Sequence, residues 1–243
     1  MKANVFVILI AILAVNTLKA QKKTYDLGLY LGGVNYYGEI GEKKFVSPNR
    51  ATLGLIGKMN FNEKLSLRGT ITFFTLYDND RDAADGYRGT GRNNSLYYSF
   101  ENKSIEASVG IEYVPFSLLK NARNPIDFYV HAGLGTVYND ELYYPLSAGF
   151  EDVLAEKYGT RTRMVIPFGI GFKTFVGSNF MVGIELSPRY TVTDNLDGSH
   201  PEDARLEPNQ LPDFSNNDWY SFVGLTLTYR LGKGNDAFCD CTL

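Results

Sequence analysis

From Val223 to Leu231 every second residue is apolar: Val223, Leu225, Leu227, Tyr229 and Leu231 alternate with Gly224, Thr226, Thr228 and Arg230. Successive side chains of a strand point to opposite faces. The stretch 219–231 therefore reads as a strand with one apolar face and one small, polar or charged face. Its length suits a bilayer crossing, which takes about 9–11 tilted strand residues. The alternation recurs in 25–35, 51–61, 65–77, 96–114, 126–138, 163–175 and 180–191. In 65–77, for example, Leu65, Leu67, Ile71, Phe73 and Tyr77 oppose Ser66, Arg68, Thr70 and Thr72, whereas Ile56 in 51–61 is out of pattern. The count predicts an all-β fold: an eight-stranded antiparallel transmembrane up-and-down β-barrel.

The joins support this reading. They run long (36–50), short (61–64), long (78–95), intermediate (115–125), long (139–162), short (176–179) and long (192–218). Long extracellular loops at one end and short periplasmic turns at the other, with both ends of the barrel on the turn side, mark an outer-membrane barrel. Aromatics gather at both ends. Tyr36, Tyr37, Tyr77, Tyr97, Tyr98, Tyr138, Tyr190 and Trp219 lie toward the long loops, and Phe61, Tyr113, Phe116, Phe175, Phe180 and Tyr229 toward the turns, which predicts two girdles. A soluble lipocalin-like barrel would carry the same alternation with its apolar face inward. The one-sided loops, the doubled girdle and the glycines of the polar face argue for lipid outside.

The remaining composition refines the picture. The opening MKANVFVILIAILAVNTLKA has an early lysine, an apolar run from Val5 to Val15 and a small residue before Gln21, which predicts a signal peptide over 1–20. The barrel is expected over 21–231 and a periplasmic tail over 232–243. Without residues 1–20 the chain keeps 22 bases against 27 acids, a balance unsuited to nucleic acid. Cys239 and Cys241 are too close in sequence to staple a core. A frayed tail and pairing with a partner's thiol are the two readings of them.

On the predicted lumen face stand five acids, Asp26, Glu106, Glu112, Asp127 and Glu185, and five bases, Lys58, Arg68, Lys173, Arg189 and Arg230. Equal numbers in a lumen that side chains fill predict internal ion pairs and no open conduit. His131 falls on the same face and is expected buried and hydrogen-bonded. His200, beside Pro201 and Glu202, is expected to be a solvated loop residue. Asp78-Asn79-Asp80-Arg81-Asp82 imitates the start of a calcium loop, but Ala83 and Gly89 stand where glycine and the bidentate Glu are required. No catalytic set, cofactor site, metal site or small-molecule substrate is expected.

Taken in order, LGLYLGGVNYYGEIG, SPNRATLGLIGKMNFNEKLSLRGTITF, RNNSLYYSFENKSIEASVGIEYVPF, IPFGIGFKTFVGSNFMVGIELSPRYTVTDNLDG and NNDWYSFVGLTLTYRLGKGNDAFCDC resemble the PorG family. That family is an outer-membrane barrel component of the Bacteroidetes type IX secretion system. Glu39 departs from the aspartate of its Tyr-x-Gly-Asp pattern, and Asp197-Gly198-Ser199 is shorter than the family's acidic stretch. The resemblance implies a non-enzymatic role in which the barrel associates with a PorK lipoprotein and PorN periplasmic ring and holds it at the membrane. The Cys-x-Cys tail fits the family's cysteine-bearing end. Docking is then expected on the tail, through Cys239 and Cys241, and on the 115–125 turn, through Phe116, Leu119 and Lys120. The outer loops are read as solvated, or as contacts for secreted proteins or lipopolysaccharide. The rival function is a stand-alone barrel acting as adhesin or lipid-modifying enzyme.

Overall fold

The computed structural model describes residues 23–42, 44, 46–84, 86–92, 95–120, 124–146, 151–211 and 217–231. The expected signal peptide and the tail with Cys239 and Cys241 lie outside the described residues.

Eight long strands close into a ring: β1 (Thr24–Tyr37), β2 (Arg50–Asn60), β3 (Leu65–Asn79), β4 (Tyr97–Leu118), β5 (Ile126–Tyr143), β7 (Glu156–Val176), β8 (Phe180–Thr191) and β9 (Trp219–Leu231). The short β6 (Asp152–Leu154) pairs in parallel with the outer end of β4. Neighbours run β3-β2-β1-β9-β8-β7-β5-β4, and a β3–β4 ladder completes the circle. All eight staves are antiparallel to their neighbours. Closure pairs every stave on both sides, which a bilayer demands because it offers no water to an unpaired backbone group.

The alternation decides which face is outside. Leu27 is 56 % exposed and Leu225 60 %, whereas Glu106 is 0 % and Glu112 1 % exposed. Leu55, Ile71, Val109, Leu134, Ile170 and Ile184 continue the outer belt around the ring. An apolar surface of that extent does not persist in water, so the soluble alternative with its apolar face inward is excluded. The protein is an outer-membrane β-barrel. Thr24 and Leu231 both end at the side carrying the short connections.

Several boundaries differ from the sequence reading. β5 and β7 continue as a hairpin above the belt to the pair Tyr143↔Glu156, with a register shift between Glu141 and Leu142, where a loop over 139–162 was expected. Above the lipid both faces of a strand are polar, so hydrophobic alternation fades while the ladder continues. β4 runs through 118 because a bulge between Tyr113 and Phe116 absorbs Pro115, so the expected 115–125 turn shrinks to 119–125.

Three expected girdle residues also turn inward. Tyr36 and Tyr98 are buried, and the Phe175 ring lies 4.8 Å from the Arg230 guanidinium. The outer girdle proper includes Tyr138 and the contact pair Tyr190–Trp219, with ring centroids 5.0 Å apart. Ile56, out of pattern in sequence, points inward and is 2 % exposed.

Candidate functional site

The lumen is a stack of two layers. Nearer the turns lies a charged layer. Arg68 of β3 grips Glu185 of β8 through two hydrogen bonds of 2.6 and 3.0 Å, and Tyr129 donates to the same carboxylate at 2.7 Å. Glu112 of β4 receives Lys58 Nζ on one oxygen at 2.5 Å and Lys173 Nζ on the other at 2.6 Å, with Arg68 Nη1 3.5 Å away. Arg230 makes a two-point contact with Asp26 at 2.9 and 3.2 Å. Higher up, Glu106 lies 3.2 Å from Arg189 Nε and accepts from the Tyr220 hydroxyl at 2.8 Å. Buried charge in so low a dielectric persists only when paired and hydrogen-bonded in this way. Above it, Tyr30, Phe74, Tyr220 and Phe222 form an aromatic layer, with Phe74 and Phe222 packed edge to face at 4.9 Å.

Of the ten expected lumen charges, nine stand in these ion pairs. Asp127 does not: it sits at the turn-end mouth, accepts from Ser117 Oγ at 2.5 Å, and joins no ion pair among the described residues. The polar-face glycines make room for the network. A Cβ on Gly169 would fall 2.5 Å from His131 Nε2, and one on Gly171 would fall 2.5 Å from the Tyr129 ring.

His131 touches both a serine and a carboxylate, yet the arrangement is not a nucleophilic triad. Its Nε2 is 3.0 Å from Ser187 Oγ and the same Nε2 is 3.4 Å from Glu185 Oε1. A relay needs the two partners on opposite ring nitrogens. Glu185 is moreover committed to Arg68 and Tyr129. His131 therefore acts as a packed member of the lumen network.

The long loops fold down as a cap over the outer mouth. This departs from the expectation of solvated loops. Asp80, fully buried, accepts from the Gly41 N–H at 2.9 Å and from Arg92 Nε at 2.7 Å, and so ties the β1–β2 loop to the β3–β4 loop. Its segment serves as a structural tie in place of a calcium loop. Asn102 Nδ2 holds the Leu196 carbonyl at 2.7 Å, drawing the 192–218 connection into the barrel. His200 is only partly exposed and packs with Nδ1 3.1 Å from Ser199 Oγ and 3.4 Å from Asp194.

Within the cap, Glu39, Asp197 and Asp218 bring carboxylate oxygens within 4.8 Å of one another, the one such group among the described residues close enough to share a cation. The Tyr36 hydroxyl stands between two of them, 2.8 Å from Asp197 and 2.5 Å from Asp218. One hydroxyl has one proton to donate, so a proton on a carboxyl satisfies the second contact. Burial, then the charges of Asp197 and Glu39, push the Asp218 carboxyl well above its ordinary range, which places the proton there.

At the turn end, the expected docking residues separate. Phe116 belongs to β4, faces the girdle and stacks on Phe128 at 5.0 Å. Leu119 occupies a left-handed conformation (φ 53°) and is 66 % exposed at the head of the turn, beside exposed Leu118. Lys120 lines a vestibule inside the rim. The sequence pattern assigned no role to Tyr129, Tyr220 or Asp218, and it placed Tyr36 in the outer girdle. The signal for the tyrosines was there: an aromatic on a face otherwise small and polar has no lipid to touch.

The closed ring, apolar exterior and ion-paired interior define a small transmembrane β-barrel whose lumen is filled. The family described as a domain of unknown function (DUF6089) matches residues 3–241, and the chain belongs to that family. No curated protein matches the chain. Among solved structures it is similar to the N-terminal β-barrel domain of Pseudomonas aeruginosa OprF, with 11% identity over 87% of this chain and 98% of that one and a TM-score of 0.42. It is also similar to a major outer membrane protein from Thermus thermophilus, with 11% identity over 87% and 100% of the two chains and a TM-score of 0.43. Ail, the attachment invasion locus protein of Yersinia pestis, shows 14% identity over 86% and 97% and a TM-score of 0.36.

Proposed function

We propose that this barrel is a non-enzymatic part of the type IX secretion machinery that helps anchor a PorK/PorN-like periplasmic ring to the outer membrane. The family resemblance in the sequence supplies the system, and the geometry supports an anchoring role. The observation that carries it is a division of the molecule. The lumen is closed by ion pairs that cross its full width, and the outer mouth is capped. The periplasmic rim offers exposed Leu118 and Leu119 beside a vestibule. A barrel whose lumen is filled and whose periplasmic turn carries exposed leucines is suited to holding a partner there.

The genetic test is direct. Deleting the protein should block export of type IX substrates and release the ring proteins from the outer-membrane fraction. Normal export in the deletion strain, with loss of adhesion or an altered lipid A profile, would support the adhesin or lipid-modifying reading instead.

A further inference from the structure

On the outer side, the β5–β7 hairpin and the short helix Ala204–Asn209 border a cleft of about 490 Å³. That volume falls in the usual range of small-ligand sites, about 300–1,000 Å³. Tyr143 and Tyr158 line it with their rings steeply inclined and their centroids 6.1 Å apart, and Leu206 adds a third apolar surface. The polar lining consists of two acid–base pairs. Glu141 lies 3.0 Å from Arg161 Nε, and Asp203 accepts from Arg205 Nε at 3.0 Å and from its Nη2 at 2.6 Å.

These pairs leave separate hydrogen-bonding positions open. The Glu141 side chain is 8% exposed, and both of its guanidinium contacts, from Arg161 and Arg163, fall on Oε1. Its Oε2 accepts no hydrogen bond among the described residues. The Tyr158 hydroxyl accepts from the Glu202 N–H at 3.2 Å and from Asn195 Nδ2 at 3.4 Å, so its own proton is available. Arg161 Nη2 and Arg205 Nη1 are likewise uncommitted among the described residues.

We propose that this cleft binds a neutral saccharide unit of a glycan on the outer side of the membrane. What the lining can satisfy selects the ligand. Phosphate or sulfate requires uncommitted positive charge, and both guanidiniums are held by carboxylates. A metal ion requires uncommitted acids, and both acids face guanidiniums. An apolar ligand would strip water from the Glu141 carboxylate and the Tyr158 hydroxyl without replacing it. A peptide strand docks through a continuous row of backbone groups, whereas the open positions here are scattered side-chain tips. A pyranose ring meets each condition, because its hydroxyls both donate and accept and its C–H face packs on an aromatic ring. The placement agrees: the hairpin rises beyond Tyr138 of the outer girdle, clear of the hydrocarbon. Only the outer-membrane location is assumed, so the outcome leaves the anchoring role untouched.

The test uses the full-length barrel in phospholipid nanodiscs free of sugar-headed detergent, and reads saturation-transfer NMR from protein to ligand. Two probes separate the sources of sugar: delipidated polysaccharide from the outer membrane of the same cells, and maltohexaose as a free glycan. Transfer to the ring protons of either is expected, the first identifying a cell-surface ligand and the second a soluble one. Tyr143→Ala removes a ring and Leu206→Trp fills the cleft, and each should weaken binding at least about fivefold. Tyr87→Ala, at an exposed tyrosine of the β3–β4 loop outside the cleft, should leave it unchanged. Heat-modifiable gel mobility confirms that each variant is folded. Transfer to neither sugar, transfer only to tryptic peptides of casein, binding that survives a folded cleft variant, or equal weakening by Tyr87→Ala overturns the proposal.

Discussion

Arg68 and Glu185 stand on diametrically opposed staves of the ring and meet through two hydrogen bonds of 2.6 and 3.0 Å. Two side chains thereby span the lumen, and the barrel has no water-filled axis at that level. The pair is buried on both sides, with side chains 5% and 1% exposed, so solvent does not screen it. Replacing Arg68 with Met leaves Glu185 buried without its main partner. The expected loss is about 3–5 kcal/mol, the usual result of breaking a buried pair from one side. Urea unfolding in lipid vesicles measures it, and the double variant with Glu185→Met should recover most of the loss.

Gly171 should tolerate no side chain. Its missing Cβ leaves the space that the Tyr129 ring uses to reach Glu185. Gly171→Val forces the tyrosine away and is expected to cost about 1–3 kcal/mol from overpacking, together with the lost hydrogen bond. The same unfolding assay reads it, and Tyr129→Phe isolates the hydrogen-bond share.

The lipid belt predicts a contrast between faces. Leu225 lies midway along β9, outward and 60 % exposed, and an arginine there should cost about 2–4 kcal/mol. Leu146 is more open still, at 76 % exposed, but lies beyond the end of β5 at the outer side. Leu146→Arg should change stability by less than about 0.5 kcal/mol.

The cap should weaken as pH rises. The folded cap holds a proton on Asp218, while the unfolded chain releases it near the ordinary aspartate value of about 3.9. The folded state thus binds more protons, so its stability is complete below that value and declines as pH climbs toward the raised one. Proteolysis of the 192–218 connection, followed over a pH series, should show protection falling in that direction. Asp218→Asn keeps an acceptor for the Leu196 N–H, supplies its own donor to the Tyr36 oxygen, and should flatten the dependence.

The lipid-facing half of this fold is legible in the sequence because hydrocarbon tolerates no polar interruption. Leu27, Ile71, Ile111 and Leu225 therefore recur at every second position. Outside the bilayer that demand lapses. Asp140, Glu141, Arg161 and Arg163 continue the β5–β7 hairpin without an apolar row to betray it. The charged residues of the lumen are recognisable by type, but their partners are not, because Glu112 finds Lys58, Arg68 and Lys173 on three other staves only after the ring has closed. Aromatic type alone also does not separate girdle from cap. Tyr36 and Tyr138 read alike in sequence, yet one is buried against Asp218 and the other faces outward.

The most direct test of the anchoring role is photocrosslinking in intact cells from two positions, Leu119 on the periplasmic turn and Leu146 on the outer side. Leu119 is expected to capture a periplasmic ring component or its lipoprotein, and Leu146 is not. Capture of those proteins from neither position, in a barrel shown to be folded and inserted, would contradict it.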